Sequence, residues 1–170
     1  MNPFLQLARH PVKFRMFLFR KMPSAFFSGI RIKTITEEKC VVTVPYTWFT
    51  QNPFRSTYFA CLAMAAELST GALSMMHVYK RVPRVSMLVV EMEAEYFKKA
   101  TGISSFVCKD GIAVRDAVEA AIATHESNMI KLTSIGTNES GEIIAEFHFT
   151  WSFKVSTKKT AATIEKPIEE

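Results

Sequence analysis

The sequence predicts an α+β domain in which an antiparallel sheet wraps around one long central helix. Three observations predict it. Ser56 to Tyr79 is an Ala-rich apolar run of 24 residues with apolar side chains on every side. Short β-branched or strictly alternating segments flank it on both sides. Turn-forming residues separate these segments, and a chain of 170 residues suffices for one substantial core.

The expected organisation is a basic helical segment at 1–25, the main domain at 26–155 and a mobile tail at 156–170, which has too few large apolar residues to pack. Asn2 and Pro3 make a helix start, and Pro11 and Pro23 cut the segment into short pieces. The first 33 residues carry Arg9, Lys13, Arg15, Arg20, Lys21, Arg31 and Lys33 and no acid. Together with six phenylalanines, that charge fits a targeting peptide, a membrane-surface helix or a nucleic-acid arm. The simplest reading is a packed helix with a solvated basic face, which leaves a peripheral membrane contact open. No uninterrupted apolar core precedes a small-residue cleavage site, so no secretory signal is expected.

After Gly29, IRIKTI and CVVTV read as a hairpin turning at Thr36 to Lys39. Tyr46 to Arg55, with Pro45 before it and Asn52-Pro53 inside it, is a loop into the long helix. That helix would be about 36 Å long, with Ser56 or Thr57 free to cap its start and Lys80 and Arg81 at its end. Its small residues admit a close neighbour, which accounts for Gly71 in a helix interior. The run is also long enough to cross a bilayer. Glu67 would then lie near the membrane centre at a cost of about 2.5 to 3.5 kcal/mol, and the strands on both sides favour a globular fold.

Arg81 to Ser86 is the exit loop. From Met87 the period changes: Glu91, Glu93 and Glu95 alternate with Met92, Ala94 and Tyr96, the pattern of a half-buried strand. Ile103 to Val107 is a short strand. Asp110 can cap a second helix, Ile112 to His125, amphipathic and superficial, with Val114, Val118, Ala121 and Ile122 on one face. Met129 to Ile135 and Ile143 to Phe153 are the last strands, joined at Asn138 to Gly141. In the final one Ala145, Phe147, Phe149, Trp151 and Phe153 alternate with polar residues. A curved antiparallel sheet around a long helix is the hotdog arrangement.

The sequence resembles the hotdog-fold acyl-CoA thioesterases, and is most similar to the DUF4442 family, close to the phenylacetate-pathway thioesterases. The resemblance runs over roughly Phe26 to Val155. In better-known relatives an Asn precedes a His-Gly-Gly triplet by six residues, and an acid follows that His by nine. Asn52 stands at the first position, Tyr58-Phe59-Ala60 at the triplet and Glu67 at the acid. The Asn position and the acid are kept; the triplet is not.

The implied chemistry agrees with the residues. A thioester carbonyl needs donors, which amides near Tyr58 and Phe59 at a helix start supply, and a carboxylate, Glu67, to attack or to activate water. Asn52 is the positioner. Tyr58 and Glu67 lie about 13 Å apart along one helix, too far to act on one carbonyl. Two antiparallel helices related by a two-fold axis remove that problem, so a homodimer or dimer of dimers is expected. Lys98, Lys99, Arg81 and Arg84 are candidates for the phosphates of CoA. CoA enters only as part of an acyl-CoA or other acyl thioester substrate, and no separate cofactor is expected.

Each candidate has a plainer reading. Glu67 could be a structural acid, Asn52 a turn former before Pro53, Tyr58 a packing residue, and His77 and His148 a helix-end and a solvated residue. The non-enzymatic alternative is a hotdog protein that binds acyl chains or lipids, favoured by loss of the Gly-Gly pair because Phe59 and Ala60 can block approach to the backbone. No phosphate loop, dinucleotide fingerprint or metal spacing is present, and no basic-aromatic platform points to nucleic acid. Cys40, Cys61 and Cys108, odd in number and far apart, fit a reduced, cytoplasmic protein.

Overall fold

The apolar run does fold as one long helix, α4 (Phe59–Val78), and the other elements are arranged to cover it. The structure is a computed structural model that describes residues 2–156. All but the first residue of the expected C-terminal tail lies outside the described residues.

Three short helices, each opening on a proline, form the basic segment: α1 (Pro3–Arg9), α2 (Pro11–Lys21) and α3 (Pro23–Phe27). The Asn2 side-chain oxygen, Oδ1, caps α1 by accepting from the amides of Phe4 at 3.0 Å and Leu5 at 3.2 Å. The Asn2 side-chain amide donates to the Met76 carbonyl at 2.6 Å, which ties this segment to the end of α4. Phe4, Leu5, Ala8, Phe14 and Leu18 enter the core.

The strands are β1 (Arg31–Ile35), β2 (Cys40–Val44), β3 (Val85–Tyr96), β4 (Ser104–Cys108), β5 (Asn128–Thr137) and β6 (Ile143–Val155). They form one antiparallel sheet in the order β1-β2-β4-β5-β6-β3. β1 and β2 are the expected hairpin. β6 has the expected alternation: Ala145, Phe147, Phe149, Trp151 and Phe153 are all buried against the helices. β3 is the expected strand, and a bulge between Val89 and Glu91 shifts the phase of its alternation. The extra residue turns Glu91, Glu93 and Glu95 outward while Met92, Ala94 and Tyr96 keep the inner face.

Helix α4 passes the length and hydropathy test for a membrane span, yet most of it is buried inside the sheet. Gly71 fulfils its expected role. A Cβ there would stand 3.3 Å from the Trp151 ring and 2.9 Å from the Glu67 carboxylate. The buried hydroxyls on α4 are paired. Ser69 donates to the Ala66 carbonyl at 2.7 Å and so accepts from Ser134, 2.8 Å away. Thr70 donates to the Glu67 carbonyl at 2.9 Å and accepts from the Trp151 indole at 3.0 Å. Such bonds specify register between helix and sheet as well as satisfying the groups.

Three local expectations are corrected. Neither Ser56 nor Thr57 caps α4; the cap position is Tyr58, which makes no side-chain cap bond. The Ser56 hydroxyl instead donates back to the Asn52 side-chain oxygen, Oδ1, at 3.2 Å. Asp110 precedes α5 (Gly111–Thr124) without capping it, because its carboxylate accepts from the Thr133 amide at 2.8 Å on β5. Helix α5 is amphipathic, but its inner face goes deep: Val114, Val118 and Ala121 are fully buried.

Gly111 marks where α5 meets the β1–β2 turn. Its amide donates to the Glu38 carbonyl at 3.0 Å, and a Cβ would fall 2.0 Å from the Glu37 carbonyl oxygen. Backbone cannot give way as a side-chain tip can. Gly111→Ala should therefore cost about 2 kcal/mol, a fall of about 6 °C in Tm. An unchanged Tm by calorimetry would show that this contact is looser than the structure has it.

Candidate active site

The loop ahead of α4 is pinned at both ends. Thr50 donates to the Pro45 carbonyl at 2.7 Å, the Tyr58 amide donates to the Thr50 carbonyl at 2.7 Å, and the Thr57 amide donates to the Ala100 carbonyl at 2.7 Å. The last bond draws the stretch after β3 against the helix start. Between them lies a groove of about 590 Å³, lined among others by Asn52, Thr57, Tyr58, Phe59, Tyr96, Lys98 and Lys99. Five of the residues singled out from the sequence thus meet in one place.

Their roles differ in detail. The Asn52 side-chain oxygen, Oδ1, accepts from the amides of Phe54 at 2.9 Å and Ser56 at 3.2 Å, and from the Ser56 hydroxyl. That oxygen builds the loop; the side-chain NH₂ group has no protein acceptor among the described residues and remains available to a ligand. The amides of Phe59 and Ala60, first in the helix, also have none among the described residues. Unpaired amides at a helix start favour developing negative charge. Tyr58 and Phe59 stand edge to face, centroids 4.8 Å apart, where the relatives' triplet would have a histidine and a glycine. Lys98 is paired with Glu142 at 2.5 Å.

Glu67 is elsewhere in the same chain. It lines a second pocket of about 280 Å³ between α4 and the N-terminal helices, with Phe14, Phe17, Met22, Met87 and Trp151 around it. Its carboxylate has no hydrogen-bond or ion-pair partner among the described residues. Burial pushes its pKa from 4.5 up to about 7. The groove and this pocket share no lining residue.

Arg81 and Arg84 lie beyond the opposite end of α4 from the groove. Arg81 forms a two-pronged bond to Glu119, at 2.7 and 2.8 Å. His77 is on the same end; burial, aided by Arg81 and Arg115, lowers its pKa. His148 sits on the outer face of β6 with its ring 3.0 Å from the Thr133 hydroxyl. No cluster of three or more His, Cys, Asp or Glu is placed to hold a metal among the described residues.

Two residues of the groove escaped the sequence reading. Thr57 is only 3% exposed, and its hydroxyl has no partner among the described residues, which leaves a buried donor facing the groove lining. It looks in sequence like a helix cap. Tyr96 was visible only as the inward member of an alternating pair with Glu95.

One face of α4 is not covered. Phe59 is exposed, and Ala60, Ala63, Met64 and Glu67 are part-exposed; beyond them only Met75 and His77, near the far end of the helix, are not buried. The spacing 60, 63, 64, 67 is one helical stripe. Strand β3 stands at the edge of the sheet, its outer side without a partner strand among the described residues, and Leu88, Val90, Met92 and Tyr96 on it are exposed.

The profile of a domain of unknown function, DUF4442, matches residues 12–153. A structure from Pseudomonas aeruginosa, described as a protein of unknown function and probable thioesterase, is similar with TM-score 0.73 and 22% identity, over 86% of this chain and 97% of that one. A putative thioesterase from Shewanella oneidensis is similar with TM-score 0.70 and 13% identity, over 92% and 100%. A thioesterase from Haemophilus influenzae is similar with TM-score 0.62 and 10% identity, over 86% and 92%. No curated protein sequence matches. These likenesses establish the hotdog fold.

The raised pKa of Glu67 has a signed consequence. The folded chain holds this proton more tightly than the unfolded chain, so the stability it contributes is complete below pH 4.5 and is lost as pH rises through about 7. Relative to Glu67→Gln at the same protein concentration, the parent should lose about 3 kcal/mol across that window, at about 1.4 kcal/mol per pH unit. Urea unfolding of both proteins measures the difference. A difference that stays flat with pH would mean that the carboxyl is solvated.

Proposed function

We propose that this chain, which belongs to the DUF4442 family, is a thioester hydrolase acting on a fatty or aryl acyl-CoA. The observation that carries the reading is Glu67: an unpaired carboxylate in an apolar pocket, with its pKa raised to about 7. A carboxylate so placed is a stronger base than one in water and is half-ionised near neutral pH. The fold shared with structures described as thioesterases is consistent with it.

In this reading Glu67 takes a proton from water, and the hydroxide adds to the thioester carbonyl. Charge develops on the carbonyl oxygen, where the Phe59 and Ala60 amides and the Asn52 NH₂ group receive it. The intermediate collapses by breaking the C–S bond. The CoA thiolate takes the proton from Glu67, and the acid product leaves. Lys99, and Lys98 on release from Glu142, attract the phosphates of CoA at the groove.

This mechanism needs Glu67 and the helix start together, and we propose a homodimer for that purpose. The stripe from Phe59 to Glu67 is centred on Ala63. An antiparallel copy of α4 crossing there sets Glu67 of one protomer beside the helix start of the other. Ala60 and Ala63 permit close approach, and the free edge of β3 can pair with its own copy. The pocket of one protomer and the groove of the other then become one site.

Two measurements test the reading. Sedimentation at micromolar concentration should show a dimer, and Ala63→Arg, which puts a charge at the crossing point, should give a folded monomer with no hydrolysis. In a hydrolysis screen of acyl-CoAs of graded length, Glu67→Gln should leave dimer and binding intact and lower turnover by about a hundredfold or more. Equal turnover in parent and variant removes Glu67 from the mechanism. Binding of acyl chains by both without any hydrolysis would establish the acyl-binding alternative, which the Tyr58–Phe59 pair over the helix start favours.

A further inference from the structure

Helix α2 is apolar on two opposite sides. Phe14 and Leu18 face the core; Val12, Met16 and Phe19, at positions i, i+4 and i+7, face outward and are exposed. The outward stripe continues across other elements. Phe19 meets Phe27 of α3 with centroids 6.4 Å apart, and Phe27 meets Phe49 of the loop after β2 at 6.3 Å. Trp48, next to Phe49, is 83% exposed. Three separate segments thus build one raised aromatic ridge, larger than scattered exposed residues require.

The charge around it has one sign. Residues 1–36 contain seven Lys and Arg and no acid. Lys13 and Arg20 are exposed on the flank of the outward stripe of α2, while Lys21 and, on β1, Arg31 and Lys33 are exposed on other faces of the segment. None of these five is in an ion pair among the described residues. Large aromatics beside unpaired cations fit poorly in a protein interface core, which is depleted of lysine. The rings stand edge to face or tilted, with Phe19 and Phe27 at 71°, and offer no flat platform for stacked bases. A lipid surface with negative headgroups suits both features at once, because apolar bodies enter the headgroup–acyl boundary while cations remain at the phosphates. The ridge shares no residue with the uncovered stripe of α4 or with β3, so dimerisation through those surfaces does not use it.

We propose that this ridge docks the protein on an anionic membrane surface, with Phe19, Phe27, Trp48 and Phe49 inserted at the interface and Lys13 and Arg20 against lipid phosphates. The inference stands apart from the hydrolase reading and does not require Glu67 to be catalytic.

Flotation of the full-length protein with vesicles tests it. Vesicles of phosphatidylcholine with about one-third phosphatidylglycerol should carry the protein, and vesicles of phosphatidylcholine alone should carry much less. Raising salt should weaken the binding. The triple variant Phe19→Ser, Phe27→Ser, Trp48→Ser and the double variant Lys13→Glu, Arg20→Glu should each lower partitioning about tenfold or more. Both should keep the parent's Tm and sedimentation. Absence of binding to the anionic vesicles overturns the proposal, and so does binding that survives the triple variant. A triple variant that changes the oligomeric state assigns the ridge to a second copy of the chain instead. Loss of RNA binding, rather than of vesicle binding, in the double variant assigns the cations to nucleic acid.

Discussion

A helix that is apolar on all sides must be covered on all sides, and nearly everything in this structure answers to that constraint. The sheet covers α4 from one side, α5 packs against it, and the N-terminal helices pack beside Glu67 and over Gly71, leaving the stripe from Phe59 to Glu67 open. The depth of cover sets where polar groups can sit. Ser69 and Thr70 are tolerated because each finds both a carbonyl on its own helix and a partner across the core. Gly71 is tolerated because Trp151 needs the room.

The same constraint makes Glu67 unusual. A carboxylate placed on such a helix loses water without gaining a cation, and its protonated form is favoured until about neutral pH. A purely structural acid at this depth would be expected to have a hydrogen-bond donor; Glu67 has none among the described residues. Both the groove at the helix start and the Glu67 pocket have largely apolar walls, but they carry different polar groups. One offers unpaired amides, a lysine and a buried hydroxyl, and the other offers a base among aromatic and methionine side chains. Each half lacks what the other has. The strip of α4 left uncovered runs between them, which is why the proposed function rests on assembly rather than on a single chain.

The N-terminal segment combines two demands that a sequence pattern alone blurs. Its helices supply Phe4, Phe14 and Leu18 to the core, so they are part of the domain's packing. They also carry a second apolar stripe and an unopposed positive charge outward. A helix with two opposite apolar stripes has little net amphipathicity. That explains why the basic segment can be read equally as packed or as surface-seeking until its neighbours are known.

Much of the fold was legible in the sequence because periodicity is local. The alternation in β6, the hairpin of β1 and β2 and the all-round apolarity of α4 follow from spacing within a few residues. Glu67 as a desolvated acid was legible for the same reason, since its neighbours at helical contact distance carry no charge. What tertiary structure alone decided depends on contacts between distant residues. The chain crosses from α4 to the far edge of the sheet, so β3 lies beside β6. Asp110, a good cap by type, is drawn to the Thr133 amide, 23 residues on, which comes within reach only in the folded chain. Lys98 and Lys99 reach the groove while Arg81 and Arg84 end at the other end of α4, because a rigid helix of 20 residues separates its two termini by about 30 Å. Thr57 could not be recognised as an unpaired buried hydroxyl from its type. Whether a hydroxyl caps a helix, points to water or faces a groove is set by the surrounding walls, and those come from segments that local spacing does not connect.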